Sequence, residues 1–168
     1  LPAVCAAVPG VRLTVAGEGP EREPLAALAS ALGVGGAVEF PGQVVGAAKT
    51  ELLSRAALAI LPSRREPFSN LLLELLAAGC PVVATAVGGT PEILGEPPAG
   101  LLVPPEDPDR LAAAVIGLLR DSERREALGS MARARAGAFA WPRMVEGYLD
   151  VYRRVMQRRG SSAEGRMA

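Results

Sequence analysis

Residues 57–85 read strand, loop, helix, strand, and this unit leaves little choice of fold. Ala57-Leu-Ala-Ile-Leu61 is a short apolar run, Pro62 to Phe68 a polar loop, and Pro81-Val-Val-Ala-Thr85 a second apolar run. Between them Ser69 opens a helical stretch to Ala78, with Gly79 at its C-terminal end. Leucines at 71, 72, 73, 75 and 76 surround the axis of that helix, so it should be buried. Strands joined through a buried helix belong in a parallel sheet.

The alternation continues on both sides. A β-rich run at 11–16 is stopped by Gly17-Glu-Gly-Pro20, and a helix follows over about 21–32, ending in Gly33. Residues 37–40 form the next strand candidate, closed by Pro41-Gly42; 47–55 suits a helix, and 100–103 a last short strand. The class is therefore α/β: a Rossmann-like three-layer domain with a mostly parallel sheet and helices on both faces. The strand runs are continuously apolar, which predicts burial on both sides.

After Pro104-Pro105 only helices are expected. Asp107 reads as an N-cap with Pro108 at the first helical position, opening a helix to about Arg120. A second helix covers about 122–136. The last begins near Pro142 and gathers Met144, Tyr148, Tyr152 and Val155 on one apolar face. One domain is expected over 1–158, with 159–168 a small, polar, unstructured tail. The first residues look like the end of a helix leading into a strand, so the chain reads as an N-terminally truncated piece of something longer.

Composition narrows the chemistry. Eighteen lysines and arginines balance eighteen acidic residues, which leaves no electrostatic footprint for nucleic acid. Arg133, Arg135, Arg153, Arg154, Arg158 and Arg159 make the last helices locally basic, and a solvated helical face accounts for them. The absence of histidine excludes a Ser-His-Asp triad or a histidine base within these 168 residues. Cys5 and Cys80 lack metal-ligand spacing and read as free thiols in a reducing compartment. Every apolar stretch is too short to span a membrane.

Candidate site residues cluster at strand ends, where open α/β sheets hold ligands. The loop Arg64-Arg-Glu-Pro-Phe-Ser-Asn70 delivers the chain to a helix N-terminus whose first amides could accept a phosphate. An ordinary capped helix explains the same residues. Glu74, set among leucines, needs hydrogen-bond donors if buried. A structural cation or amide, simple exposure, or the vicinal hydroxyls of a ribose would each satisfy it. Gly17-Glu-Gly19-Pro20 resembles the start of a dinucleotide fingerprint, but Arg22 stands where the third glycine belongs, and a tight turn suffices. Gly88-Gly89-Thr90 permits a close backbone approach to a ligand, or simply a turn. Asp107-Pro-Asp109 has the Asp-x-Asp pattern of some metal-dependent sugar transferases, yet helix capping is a sufficient reason for it.

Together these blocks resemble the C-terminal, donor-binding half of a retaining glycosyltransferase of family four (group 1), with the GT-B architecture. The similarity covers about residues 11–155. Its most specific part is Glu66 and Glu74, separated by seven residues within Pro62-Ser63…Glu66-Pro-Phe-Ser-Asn…Leu73-Glu74…Ala77-Ala-Gly-Cys-Pro-Val-Val-Ala-Thr85…Gly88-Gly-Thr-Pro-Glu92. Gly17-Glu-Gly-Pro20, Phe40-Pro-Gly-Gln-Val44, Gly100-Leu-Leu-Val-Pro104 and Phe139-Ala-Trp141 support it. The family's usual Glu-Ala-Met-Ala is Glu74-Leu-Leu-Ala77 here, a tolerable apolar exchange.

The resemblance implies that Glu74 binds the ribose of a nucleoside diphosphate sugar, and that Glu66, the catalytic-site glutamate, contacts the donor sugar. It implies that amides of Phe68, Ser69, Asn70 and Leu71 hold the diphosphate. Gln43 and Val44 would lie against the base with Lys49 near it, and Gly17 joins the donor-binding set. The reaction would retain anomeric configuration by a front-face route with no protein nucleophile, bound metal or cofactor. The family's diphosphate-binding Arg and Lys precede the first residue here, and the acceptor belongs mainly to an N-terminal domain, so the piece alone should not turn over. A cytoplasmic parent with peripheral association at the inner face of the membrane is the matching expectation. A GT-B sugar-nucleotide epimerase and a non-catalytic binding or interaction module are the rival readings.

Overall fold

The computed structural model describes residues 1–164. In chain order its elements are α1 (Pro2–Ala7), β1 (Leu13–Ala16), α2 (Arg22–Ala31), β2 (Val38–Gly42), α3 (Gly46–Arg55), β3 (Ala59–Leu61) and α4 (Asn70–Ala78). There follow β4 (Val82–Thr85), α5 (Thr90–Leu94), β5 (Leu101–Val103), α6 (Pro108–Arg120), α7 (Ser122–Ala136) and α8 (Trp141–Glu164). Short 3-10 turns cover Gly35–Ala37 and Gly137–Phe139.

All strand pairs are parallel, as the strand–helix alternation predicts, and they form two hydrogen-bonded groups. β1 pairs with β2, Leu13 lying opposite Val38. β3, β4 and β5 form a three-stranded sheet in that order, with Val83 opposite both Ile60 and Leu101.

β4 is buried along its whole length, and its side chains alternate between two cores. Val82 and Ala84 join Leu72, Leu75 and Leu76 of α4, Ile93 and Leu94 of α5, and Ala132 of α7. Val83 faces the other way, toward Val4 of α1, Val115 and Leu118 of α6, and Leu128. The sheet is thus the middle of three layers. Burial on both sides does not extend to β1 and β2, whose residues alternate half-buried and exposed up to the buried Gly42. They are a two-stranded ribbon with α2 packed on it, so one face stays in water. Pro41 falls inside β2 rather than closing it, which a strand paired on one side tolerates.

The two thiols differ in burial. Both cysteines are unpaired; Cys80 is buried where α4 turns into β4, and Cys5 is half-buried. Burial pushes the Cys80 thiol from its ordinary 9.0 up to about 11. A thiol reagent at pH 8 is expected to label Cys5 and to reach Cys80 only on unfolding; equal labelling rates would contradict this placement. Because the unfolded thiol ionises first, this group's contribution to stability is full below pH 9 and is lost as pH rises toward 11.

α8 carries the predicted apolar positions but buries none of them. It packs on the Gly137–Phe139 turn, and the side chains of residues 141–157 are exposed, Trp141 at 75% and Tyr152 at 64%. The helix continues through Gly160 to Glu164, past the start of the expected unstructured tail, since extending a formed helix costs little. Residues 165–168 lie outside those described.

Candidate functional site

Most of the sequence-predicted residues lie at strand ends, which parallel strands put on one side of each sheet, while Lys49 lies in α3 and Asn70, Leu71 and Glu74 in α4. Gly17 follows β1, Gln43 and Val44 follow β2, Glu66 to Ser69 follow β3, and Gly88-Gly89 follow β4. Gly17 closes the ribbon: its amide donates to the Gly42 carbonyl at 2.8 Å, and its φ of 135° explains the glycine. Gln43 is exposed and Val44 half-buried in the turn leading to α3.

The start of α4 is built as its sequence predicts. Ser69 has extended backbone and is buried, and its Oγ accepts the Leu72 amide at 3.2 Å. Its carbonyl accepts the Leu73 amide at 3.2 Å. Such a cap is worth about 1 kcal/mol. The amides of Asn70 and Leu71 precede those bonds and remain open, as first-turn amides do. Gly79 ends the helix in the left-handed region at φ 69°.

Glu66 is half-buried beside that helix start. It lines an open cleft of about 420 Å³ with Arg64, Arg65, Pro67, Val87 and Gly88. The glycine pair after β4 is spent on the protein's own backbone. A Cβ on Gly88 would lie 2.0 Å from the Glu66 carbonyl oxygen, and one on Gly89 2.6 Å from that of Pro67. The Gly89 amide donates to the Glu66 carbonyl at 3.1 Å. So the close approach that Gly88-Gly89 permits fixes the Glu66 loop from below.

Glu74 departs from expectation. It is not a buried charge: its side chain is 46% exposed, and its carboxylate pairs with the Lys49 ammonium of α3. Burial of α4 falls on Leu72, Leu75 and Leu76, all at 1% exposure or less, whereas Leu71 is 43% exposed. Glu74 follows Leu71 by three residues, so it shares the outward stripe. Its desolvation cost is correspondingly small, and partial exposure with a lysine partner satisfies the charge without requiring a ligand. The pair ties the helix after the Gln43–Val44 turn to the helix after the Glu66 loop. Lys49→Ala is expected to cost less than about 1 kcal/mol in urea unfolding, because exposed pairs are screened. A larger loss would mean that the pair is a structural anchor.

Asp107 is an N-cap, its Oδ1 accepting the Arg110 amide at 2.9 Å, and Glu106 pairs with Arg64 at 3.3 Å. The sequence reading gave Arg135 to a solvated face. Instead it is half-buried, donating to the Ile93 carbonyl at 2.9 Å and the Glu92 carbonyl at 2.6 Å. Its guanidinium sits 5.0 Å from the centre of the Phe139 ring, which meets Phe68 edge-on at 6.3 Å. No local pattern marks such a contact, because Arg135 and Phe68 lie far apart along the chain.

Residues 1–135 match the family model described as glycosyl transferases group 1. The chain is 41% identical over 148 residues to a D-inositol 3-phosphate glycosyltransferase of Acidothermus cellulolyticus, covering 88% of this chain and 33% of that protein. Among solved structures it is similar to a sucrose-phosphate synthase from Thermosynechococcus elongatus, with a TM-score of 0.79 and 30% identity over 93% of this chain and 42% of the other. It is also similar to Anabaena HepE in complex with UDP, at a TM-score of 0.71 and 26% identity, covering 80% of this chain and 38% of the other. That protein has also been solved with UDP-glucose. The chain spans about a third of the length of the curated relatives it matches.

Proposed function

The chain belongs to the group 1 glycosyl transferases, and from that premise we propose that it is the donor-binding half of an enzyme moving a sugar from a nucleoside diphosphate sugar to an acceptor hydroxyl. The observation that carries this reading is the start of α4. Two open amides, of Asn70 and Leu71, lie beside Glu66 at the end of a parallel strand, and Glu74 stands one turn further along the exposed stripe. A helix N-terminus favours a diphosphate electrostatically, and the flanking carboxylates accept hydroxyl donors. The UDP and UDP-glucose complexes of a similar protein support that ligand class.

In this reading Glu66 accepts from donor-sugar hydroxyls and Glu74 from the ribose, while the amides of 68–71 take up the charge that develops on the departing diphosphate. Gln43 and Val44 lie against the base, and Gly17 keeps the end of β1 open to it. Lys49 holds Glu74 oriented through their ion pair. The sugar's bond to the diphosphate breaks as its bond to the acceptor oxygen forms on the same face, with no protein nucleophile. Stabilising the leaving group is the largest contribution. The acceptor site lies in a further domain of a longer polypeptide, onto which the exposed apolar face of α8 packs, so this part alone does not turn over.

A thermal-shift and calorimetric screen of the complete polypeptide against UDP-, GDP- and ADP-sugars tests this. One nucleotide class should raise the melting temperature saturably, by mass action on the folded state. No response to any of them would overturn the donor site.

A further inference from the structure

Resting on the donor-site reading above, we propose that Phe139, held by Arg135, is a positioning residue for the Phe68 edge of the donor loop. The loop from Glu66 to Ser69 is held from two sides. On one side the Gly88-Gly89 backbone lies against the carbonyls of Glu66 and Pro67 and continues directly into α5. On the other, the Phe139 ring meets the Phe68 ring at 65°, an edge-to-face arrangement.

Arg135 joins the two sides. Its guanidinium donates to the carbonyls of Glu92 and Ile93 in α5, the helix that begins at the glycine pair. It also lies over the Phe139 ring, a cation–π contact. Gly95, at φ 80°, leaves it room: a Cβ there would lie 2.8 Å from the Arg135 Nε and 2.9 Å from its Cζ. The circuit thus runs from loop to α5, to Arg135, to Phe139 and back to the loop. Phe68 is 52% exposed, and its amide borders the open amides of Asn70 and Leu71. Phe139 ends the turn that carries α8, so the direction of that helix and the pose of the donor loop share one residue.

The test is steady-state kinetics of the complete enzyme with Phe139→Leu, Phe139→Tyr, Phe68→Leu and the double Phe68→Leu/Phe139→Leu. Phe139→Leu keeps apolar volume and removes the ring. It should raise the KM for the donor roughly three- to tenfold, the size of one aromatic pair, while leaving the acceptor KM in place. Phe139→Tyr should restore the donor KM. The double variant should be no worse than either single, because both remove the same contact. An unchanged donor KM in Phe139→Leu, or additive losses in the double, would overturn the positioning role. Glu66→Gln and Glu74→Gln, run alongside, separate the two levels. If they leave donor KM and kcat intact, the donor site itself is misplaced; if they impair transfer while Phe139→Leu does not, only the positioning inference fails.

Discussion

Glu66→Gln is expected to lower sugar transfer by the complete polypeptide roughly ten- to a hundredfold in kcat/KM for the donor. The substitution keeps the size of the side chain and removes only its charge. A hydrogen bond to a charged group is worth about 1.5–3 kcal/mol, which sets that range. Stability should barely move, because Glu66 makes its intramolecular bond through its carbonyl, which accepts the Gly89 amide whatever the side chain. An initial-rate assay paired with urea unfolding separates the two effects. Full activity in this variant would remove Glu66 from the site.

Gly88→Ala is expected to be the most damaging small substitution for stability. Its Cβ would lie 2.0 Å from a backbone oxygen that cannot swing aside, at a φ of 50° that alanine disfavours. Steric overpacking and the left-handed backbone together cost roughly 2–4 kcal/mol. Whatever relief the chain finds must displace the Glu66 loop, so donor affinity should fall as well. Gly36→Ala is the control, since nothing lies within 4 Å of a Cβ there. Equal unfolding midpoints for the two variants would mean that the glycine turn does not press on the Glu66 loop.

The βαβ unit around α4 was legible because local chemistry specifies it. Ser69 caps through its side chain, Gly79 takes a left-handed end, and Val82 to Thr85 lies buried between two helical layers. The same holds for α6, where Asp107 and Pro108 mark the boundary to the residue. Glu74 was misread because five leucines around a helix axis disguise which stripe faces out. Burial selects Leu72, Leu75 and Leu76 and leaves Leu71 in solvent, a choice made by β4 and α7 rather than by α4 itself. The alternation in β1 and β2, by contrast, stands in the residues themselves: Thr14 and Glu39 each fall between apolar neighbours and are exposed, while Leu13, Val15, Val38 and Phe40 are half-buried. Gly88-Gly89 announced a close approach without naming the partner, which proved to be backbone more than twenty residues upstream. The partners of Arg135 in α5 and of Phe139 in the Glu66–Ser69 loop were hidden for the same reason, although the contact between Arg135 and Phe139 is itself local.

Glu74 and the start of α4 are expected to grip opposite ends of one nucleoside diphosphate. Calorimetric titration of the complete polypeptide with a nucleoside diphosphate and its 2′,3′-dideoxy counterpart, in wild type and in Glu74→Ala, tests it most directly. In the wild type, loss of the ribose hydroxyls should weaken binding about tenfold or more, the worth of hydrogen bonds to a carboxylate. In Glu74→Ala the two ligands should bind alike. The same penalty in both proteins, or none in either, would contradict it.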